Sequence, residues 1–387
     1  MEKNREIVFV VRDLSLGGIQ RVVLELVSAW HKARQNERCH LLVLDSTSVH
    51  YDTPQAVSVH FLPNVLNRPL ARVVRLCNKV APYLFNKIVI NKNTRIIKNW
   101  KQKMEQSMGN KIILVFCGYG SFSNFVPSCI PDSLCVAHNQ YDQLLKRRTG
   151  LLAGFNAALL KRQLLGTELF GVSSTIQNRI SNGLGVAINS LVLRNPINII
   201  SIREKAQEPC TYLSEEAGTP FVLYLGRLAP EKNVDKLIQA FMSDGCRNDL
   251  RLIIAGDGVE EKKLRAMAGG SSGRIKFIGR VKNPYPLLSK ASALALTSSY
   301  EGLPTVLLEA RALGRFIITT TAGGASAEAV DGYNAKFIIE NLRINTIVSA
   351  LNKVDLSSQY SNHDDLCQYR PERSVGDYAK AISYLGL

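Results

Sequence analysis

The run Ser298-Ser299-Tyr300-Glu301-Gly302-Leu303-Pro304-Thr305-Val306-Leu307-Leu308-Glu309-Ala310 places one carboxylate in a Gly-Pro loop and a second inside the apolar helix that follows, with seven residues between them. Pro304 suits the first turn of that helix, where a missing N–H costs nothing. No Ser, Asp or Asn stands just ahead of Pro304 to cap the helix with a side chain. The free N–H groups at the helix start, reached through Gly302, Leu303, Pro304 and Thr305 (Pro304 itself has none to give), then make an anion site suited to a phosphate. Glu301 and Glu309 could both reach a polyhydroxylated ligand at the same helix mouth. Upstream, Gly226 to Asn233 carries Arg227 and Lys232 in another loop that contains Pro230. Arg can fork onto two phosphate oxygens, and Lys acts as a point charge.

These loops need strands to hold them. In the second half, short apolar runs at Phe221–Leu225, Leu252–Ala255, Ile275–Ile278, Ala293–Leu296 and Phe316–Thr319 each end in Gly or in a polar loop. Between the first two, Val234, Leu237, Ile238 and Phe241 recur at helical spacing. The first half alternates in the same way. Ile7–Val11 is followed by Gly17-Gly18 and by a helix patterned on Val22, Val23, Leu26, Val27 and Trp30. Leu41–Leu44, Lys111–Cys117, Leu134–Ala137 (closed by His138) and Leu169–Val172 are further strands. The basic section from about 65 to 108 reads as mostly helical, and Gly150–Leu165 as a core helix. Such alternation predicts an α/β fold with parallel sheets and right-handed crossovers, its ligands lying beyond the strand C-terminal ends. The 387 residues exceed one ordinary core, and a polar, weakly patterned stretch after Asn195-Pro196 marks a boundary. Domains are therefore expected at 1–196 and 197–370, with a helix over 371–387 that could dock on either.

Charge divides the two halves. Residues 1–200 hold 25 Lys and Arg against 11 Asp and Glu, while residues 201–387 hold 23 against 21. Between Thr53 and Lys111 there are 11 basic residues and one acid, Glu105. That stripe implies an anionic partner: a phospholipid surface, a phosphorylated glycan or a nucleic acid. Aromatics are sparse within it, and zinc-finger, RRM and KH patterns are absent, so a nucleic acid is not expected. The apolar run at Ile7–Val11 is too short for a signal peptide, and no run reaches the roughly 18–20 residues of a membrane span. A cytoplasmic location is expected. The eight cysteines are scattered without a CxxC pair, which favours free buried thiols over disulfides or zinc.

Taken together, Gly226-Arg227-Leu228-x-x-Glu231-Lys232-Asn233, Ile254-Ala255-Gly256-Asp257-Gly258, Glu301-Gly302-x-Pro304 with Glu309, and Gly323-Gly324 closely resemble the retaining glycosyltransferases of the GT-B fold, family 4. Gly17-Gly18-Ile19-Gln20-Arg21-Val22 and His138-Asn139 match more loosely. The resemblance implies two Rossmann-like domains facing a cleft, the C-terminal one taking a nucleotide-sugar and the N-terminal one the acceptor. It implies transfer with retention of anomeric configuration and without a metal ion or other cofactor. Arg227 and Lys232 would stabilise the leaving diphosphate with the amides near Gly302–Thr305, Glu309 would bind the ribose, and Glu301 would face the transferred sugar. Gly17 and Gly18 would admit the donor close to the backbone, and His138 would lie near the sugar. The chain departs from the pattern at three places. Cys135-Val136-Ala137 precedes His138 without the family's frequent Glu, Ala325-Ser326-Ala327-Glu328 replaces a common Pro-Glu, and Asn334-Ala335 replaces Asn-Gly.

Each residue also has a plainer reading. Gly17-Gly18 is a common turn, Arg227 and Lys232 a solvated basic loop, and Glu301 a loop carboxylate. Glu309 is a helix-surface carboxylate, His138 a satisfied core histidine, and the basic stripe a solvated face. The functional expectation is transfer from a nucleotide-diphosphate sugar, UDP favoured over GDP, to a lipopolysaccharide or other lipid-linked glycan at the inner membrane face. A polyanion- or nucleic-acid-binding protein and a GT-B sugar-nucleotide epimerase stand as alternatives.

Overall fold

The structure, a computed structural model, describes residues 5–14, 17–45, 53–54, 57–62, 82–122, 125–138, 158, 160–210, 212, 219–270, 273–321, 324–355 and 366–386, with only the helical backbone for 82–88. Asn139, Gly323, residues 63–81 of the basic stripe and most of Gly150–Leu165 lie outside the described residues. The chain forms two compact units, Met1–Pro196 with Tyr369–Leu387, and Ile197–Gln368.

The first unit runs β1 (Arg5–Val11), α1 (Gly18–Ala33), β2 (Arg38–Val43), β3 (Ser58–Phe61), α2 (Pro82–Met108), β4 (Lys111–Cys117), α3 (Tyr119–Phe122), β5 (Ser133–Ala137), β6 (Glu168–Gly171) and α4 (Ser174–Leu184). Its six strands are parallel in the order β3-β2-β1-β4-β5-β6. The continuous apolar runs of β1 and β4 suit central strands covered on both faces, and Ile112 to Cys117 are at most 2% exposed. Trp30 of α1 is fully buried and packs edge-on against Phe9, ring centroids 5.8 Å apart. The helix Pro371–Ser383 returns to this unit and packs on α1, with Tyr378 6.2 Å from the Phe9 ring.

The second unit runs α5 (Ile199–Ala206), β7 (Phe221–Leu225), α6 (Val234–Phe241), β8 (Arg251–Ala255), α7 (Glu261–Ala268), β9 (Ile275–Gly279), α8 (Tyr285–Lys290), β10 (Ala293–Leu296), α9 (Thr305–Ala312), β11 (Phe316–Thr320), α10 (Ser326–Ala329), β12 (Lys336–Ile339) and α11 (Ile344–Asn352). Its parallel order is β12-β11-β10-β7-β8-β9. Numbered within the unit, this is the same doubly wound order as the first sheet. Each sheet has one place where winding reverses, between β1 and β4 and between β7 and β10. Ligands of doubly wound sheets sit at that crevice, beyond the strand C-terminal ends.

Four sequence expectations change. β3 and β12 are additional strands, and β3 is a short edge strand, part-exposed along its length, without a buried alternation to read. The polar stretch after Pro196 contains α5, started by Asn198, whose side chain accepts from the Ser201 amide at 3.0 Å. Pro304 is the residue just before α9, extended at ψ 104°, and the helix itself begins at Thr305. Among the described cysteines all seven are free, but Cys129 and Cys367 are exposed. No described helix is long and apolar enough to cross a membrane.

Candidate active site

The β7 and β10 loops meet at the switch point of the second unit. After β7 the chain turns through Gly226 and Arg227, and the Tyr224 hydroxyl donates to the Arg227 carbonyl at 2.8 Å. Lys232 Nζ stands 2.5 Å from Glu301 Oε1, each side chain only about one-seventh exposed (15% and 14%). The Ser298 hydroxyl donates to the same Glu301 oxygen at 2.6 Å. Arg227 pairs with the buried carboxylate of Glu231 at 2.9 Å, but its own side chain is 69% exposed. Each cation therefore already has a carboxylate partner.

Asn233 holds the two loops in register. It adopts φ 49° and ψ 40°, and its amide donates to the Thr297 carbonyl at 3.0 Å and to the Ser299 hydroxyl at 2.6 Å. Thr297, fully buried, returns its hydroxyl to the carbonyls of Lys232 at 3.0 Å and Asn233 at 3.2 Å. The Ser299 amide donates to the Glu231 carbonyl at 2.8 Å. The β8 loop closes from the other side, where Gly256 and Gly258 are required by close backbone approach. A Cβ would lie 1.9 Å from the Gly226 carbonyl oxygen at Gly256 and 2.1 Å from that of Leu228 at Gly258, and both residues have positive φ. This segment is architectural: it packs backbone to backbone against the β7 loop, and the Leu228 amide donates to the Asp257 carbonyl at 2.7 Å.

Helix α9 starts beside Glu301 without a side-chain cap. Glu301 itself bridges to Gly324 on the β11 loop. Glu309 is 2% exposed, about 6 Å along the axis from the helix start at 1.5 Å per residue. It is thus a buried group and not a surface carboxylate. Arg311, in the last turn, donates to the Ala329 carbonyl at 2.7 Å and lies 5.4 Å from the Tyr333 ring centroid. A cation there complements the negative helix end.

In the first unit, described by itself, Gly17 and Gly18 open α1 at the C-terminal end of β1, next to the switch point. A Cβ on Gly18 would meet nothing within 4 Å, and one on Gly17 would meet only the flexible end of Gln20. The unit's own packing demands neither glycine. Gly118, at the end of β4, is different, since a Cβ would lie 2.9 Å from Ile19 Cδ1 and its φ is 77°. His138 follows β5 directly. Its Nδ1 is 3.2 Å from the Val136 carbonyl, and the ring is 4% exposed. Burial pushes the imidazole down to about 4 from its ordinary 6.5, a fall only partly opposed by that carbonyl contact. The ring is neutral at pH 7. With Nδ1–H donating, Nε2 is an acceptor, and it has no hydrogen-bond partner among the described residues.

The structure thus brings Lys232, Glu301, Gly302 and the Pro304–Thr305 helix start together, with Arg227 at the rim and Glu309 within α9. The roles of Ser298, Asn233 and Thr297 escaped the sequence reading. Asn233 stood inside a quoted motif, just before a helix, at a position where Asn tolerates left-handed backbone; that was its signal.

Residues 213–367 match the model of the glycosyl transferases group 1 family. Over 325 residues, 80% of this chain and 79% of the relative, the sequence is 24% identical to N-acetylgalactosamine-N,N'-diacetylbacillosaminyl-diphospho-undecaprenol 4-alpha-N-acetylgalactosaminyltransferase of Campylobacter jejuni. Shorter matches to other curated relatives span about a quarter to a half of those proteins (25% and 52% in two cases). WaaG, a glycosyltransferase involved in lipopolysaccharide biosynthesis, superposes with TM-score 0.65 at 16% identity, covering 98% of this chain and 95% of WaaG. The protein is a glycosyltransferase with the GT-B fold. Anabaena HepE, solved with UDP and glucose, superposes on the glycosyltransferase with TM-score 0.62 at 16% identity, covering 98% of this chain and 96% of HepE. The Lys232–Glu301 pair of the glycosyltransferase lies within the matched region.

Proposed function

We propose that the enzyme is a family 4 retaining glycosyltransferase that moves a sugar from a nucleotide-diphosphate sugar, UDP-linked in preference to GDP-linked, to a lipid-linked glycan. The observation that carries this reading is the Lys232–Glu301 pair at the β7/β10 switch point, beside an uncapped helix start. As the bond between the anomeric carbon and the diphosphate breaks, negative charge grows on the leaving oxygen. In this reading Lys232, Arg227 and the Thr305 amide stabilise it, and such preorganised charge is commonly the largest single catalytic term. The acceptor oxygen bonds to the anomeric carbon on the face the diphosphate leaves, which retains configuration, and the acceptor proton passes to the departing phosphate or to solvent. Glu301, released by Lys232, faces the sugar, and Glu309 receives the ribose hydroxyls. His138 Nε2 accepts from a sugar hydroxyl. Lys232 and Arg227 serve the leaving group in place of a divalent metal, so transfer is expected to proceed in EDTA.

The acceptor assignment is supported by the relatives. The Campylobacter enzyme is named for a diphospho-undecaprenol-linked glycan, and WaaG for lipopolysaccharide biosynthesis. HepE's complex with UDP and glucose supports the uridine preference. The basic excess of residues 1–200 suits a peripheral position at the inner face of the cytoplasmic membrane, where anionic lipids attract Lys and Arg. The domain roles follow: 1–196 for acceptor, 197–370 for donor. A panel of UDP- and GDP-sugars, read by thermal shift and by release of nucleoside diphosphate, tests the donor, since a bound donor raises Tm by mass action. Release of UDP from a UDP-sugar with an α-linked product by NMR is expected. An inverted product overturns retention, and turnover with GDP-sugars alone overturns the uridine preference.

A further inference from the structure

We infer that Asn233 is a positioning residue for the diphosphate cation, acting through its side chain on the backbone of Lys232. The inference rests on the reading of Lys232 as the diphosphate ligand. Lys232 comes from the β7 loop, while its partner Glu301 and the α9 start come from the β10 loop. The ladder between β7 and β10 does not fix one loop against the other, because its paired residues end at Leu223 and Leu294. The side-chain fastening is made by Asn233 and Thr297, beside the one backbone bond from the Ser299 amide to the Glu231 carbonyl. One amide group donates to the Thr297 carbonyl and the Ser299 hydroxyl, and the Thr297 hydroxyl donates back to the carbonyls of Lys232 and Asn233. The left-handed backbone at Asn233 (φ 49°) also ends the short 3-10 turn Pro230–Lys232 and begins α6, so the lysine sits at a corner whose angle Asn233 sets. A glycine would keep that corner without strain but would lose all the side-chain bonds. An alanine would add strain to the loss. Asn233 touches neither substrate nor reacting atoms in this scheme. Its effect is confined to how well Lys232 meets the second phosphate.

The test compares full-length wild type, Asn233→Gly, Thr297→Val and Lys232→Ala, titrated calorimetrically with UDP, UMP, GDP and GMP. The readout is the preference for diphosphate over monophosphate with the better-bound nucleobase. A general loosening of the unit weakens both nucleotides together and leaves that ratio unchanged. Lys232→Ala is expected to lower the ratio by about tenfold or more, the range of a charge-assisted hydrogen bond. Asn233→Gly and Thr297→Val are expected to lower it at least threefold, with monophosphate affinity within about twofold of wild type. A wild-type ratio in Lys232→Ala overturns the diphosphate reading and this inference with it. A lowered ratio in Lys232→Ala beside a wild-type ratio in both Asn233→Gly and Thr297→Val overturns this inference alone. A parallel fall in both nucleotides in the Asn233 and Thr297 variants does the same.

Discussion

At Lys232 one ammonium holds a carboxylate already in place and, in the proposed function, an anion that arrives later. Removing it leaves Glu301 with the Ser298 hydroxyl but deprives the leaving phosphate of a fixed charge. Lys232→Ala is expected to lower kcat by about 10²–10³-fold, the loss typical of one preorganised donor, measured as nucleoside diphosphate release. His138 gives a prediction with a different sign to work out. Its folded imidazole lies near 4, below the ordinary 6.5, because burial disfavours the cation. The unfolded chain therefore binds the extra proton first, and stability falls as pH drops from about 6.5 toward 4, by at most about 3 kcal/mol. In His138→Asn the slope of Tm against pH over that window is expected to flatten, and an unchanged slope refutes it. The loops that carry Arg227, Lys232 and Glu301 were legible because each follows a short apolar run and contains Gly or Pro. The pairing of Lys232 with Glu301 was not legible, since it joins positions 69 residues apart through a crossover that no local pattern encodes.

At the level of elements, five of the second unit's six strands, β7 to β11, were readable from their apolar runs and α6 from its helical period, and their alternation with helices predicted the parallel pairing; β12 was not read. The β3 edge strand and α5 were missed for opposite reasons: one is too exposed to alternate, and the other is only eight residues long in a polar stretch. The glycines after β8 were read as architecture, and the geometry gives them a cost. Gly256→Ala or Gly258→Ala drives a methyl into a backbone carbonyl, so each is expected to destabilise by about 2 kcal/mol or more, lowering Tm by roughly 5 °C in calorimetry. Helix α2 is pinned by a buried lysine. Lys101 donates to the Asp132 carboxylate at 2.8 Å and to the Pro131 carbonyl at 2.9 Å, and Lys111 Nζ lies 3.1 Å from Asp132. Burial raises the Asp132 carboxyl, but Lys101 and Lys111 together outweigh it and hold the group below the ordinary 3.8. Its contribution is complete above the unfolded value and is lost as pH falls through the lower folded one. Asp132→Asn is expected to cost stability at pH 7 and little near pH 2, measured by urea titration at both.

For the molecule as a whole, charge is the property most unevenly distributed, 25 basic against 11 acidic residues in the first 200. Sedimentation with vesicles containing about one-third anionic lipid is expected to capture the enzyme at low salt and to release it as salt shortens the Debye length from ~10 Å at 0.1 M to ~3 Å at 1 M. Equal capture by neutral vesicles refutes an electrostatic origin. Composition reveals this asymmetry directly, but not that the first unit is assembled from two distant stretches of chain. The helix Pro371–Ser383 covers α1, and Tyr378 is fully buried near Phe9. A ribosome therefore delivers that cover only after the whole of Ile197–Gln368 has been synthesised. The unit begun first is completed last, because the cover of its apolar α1 face is the last helix to be made.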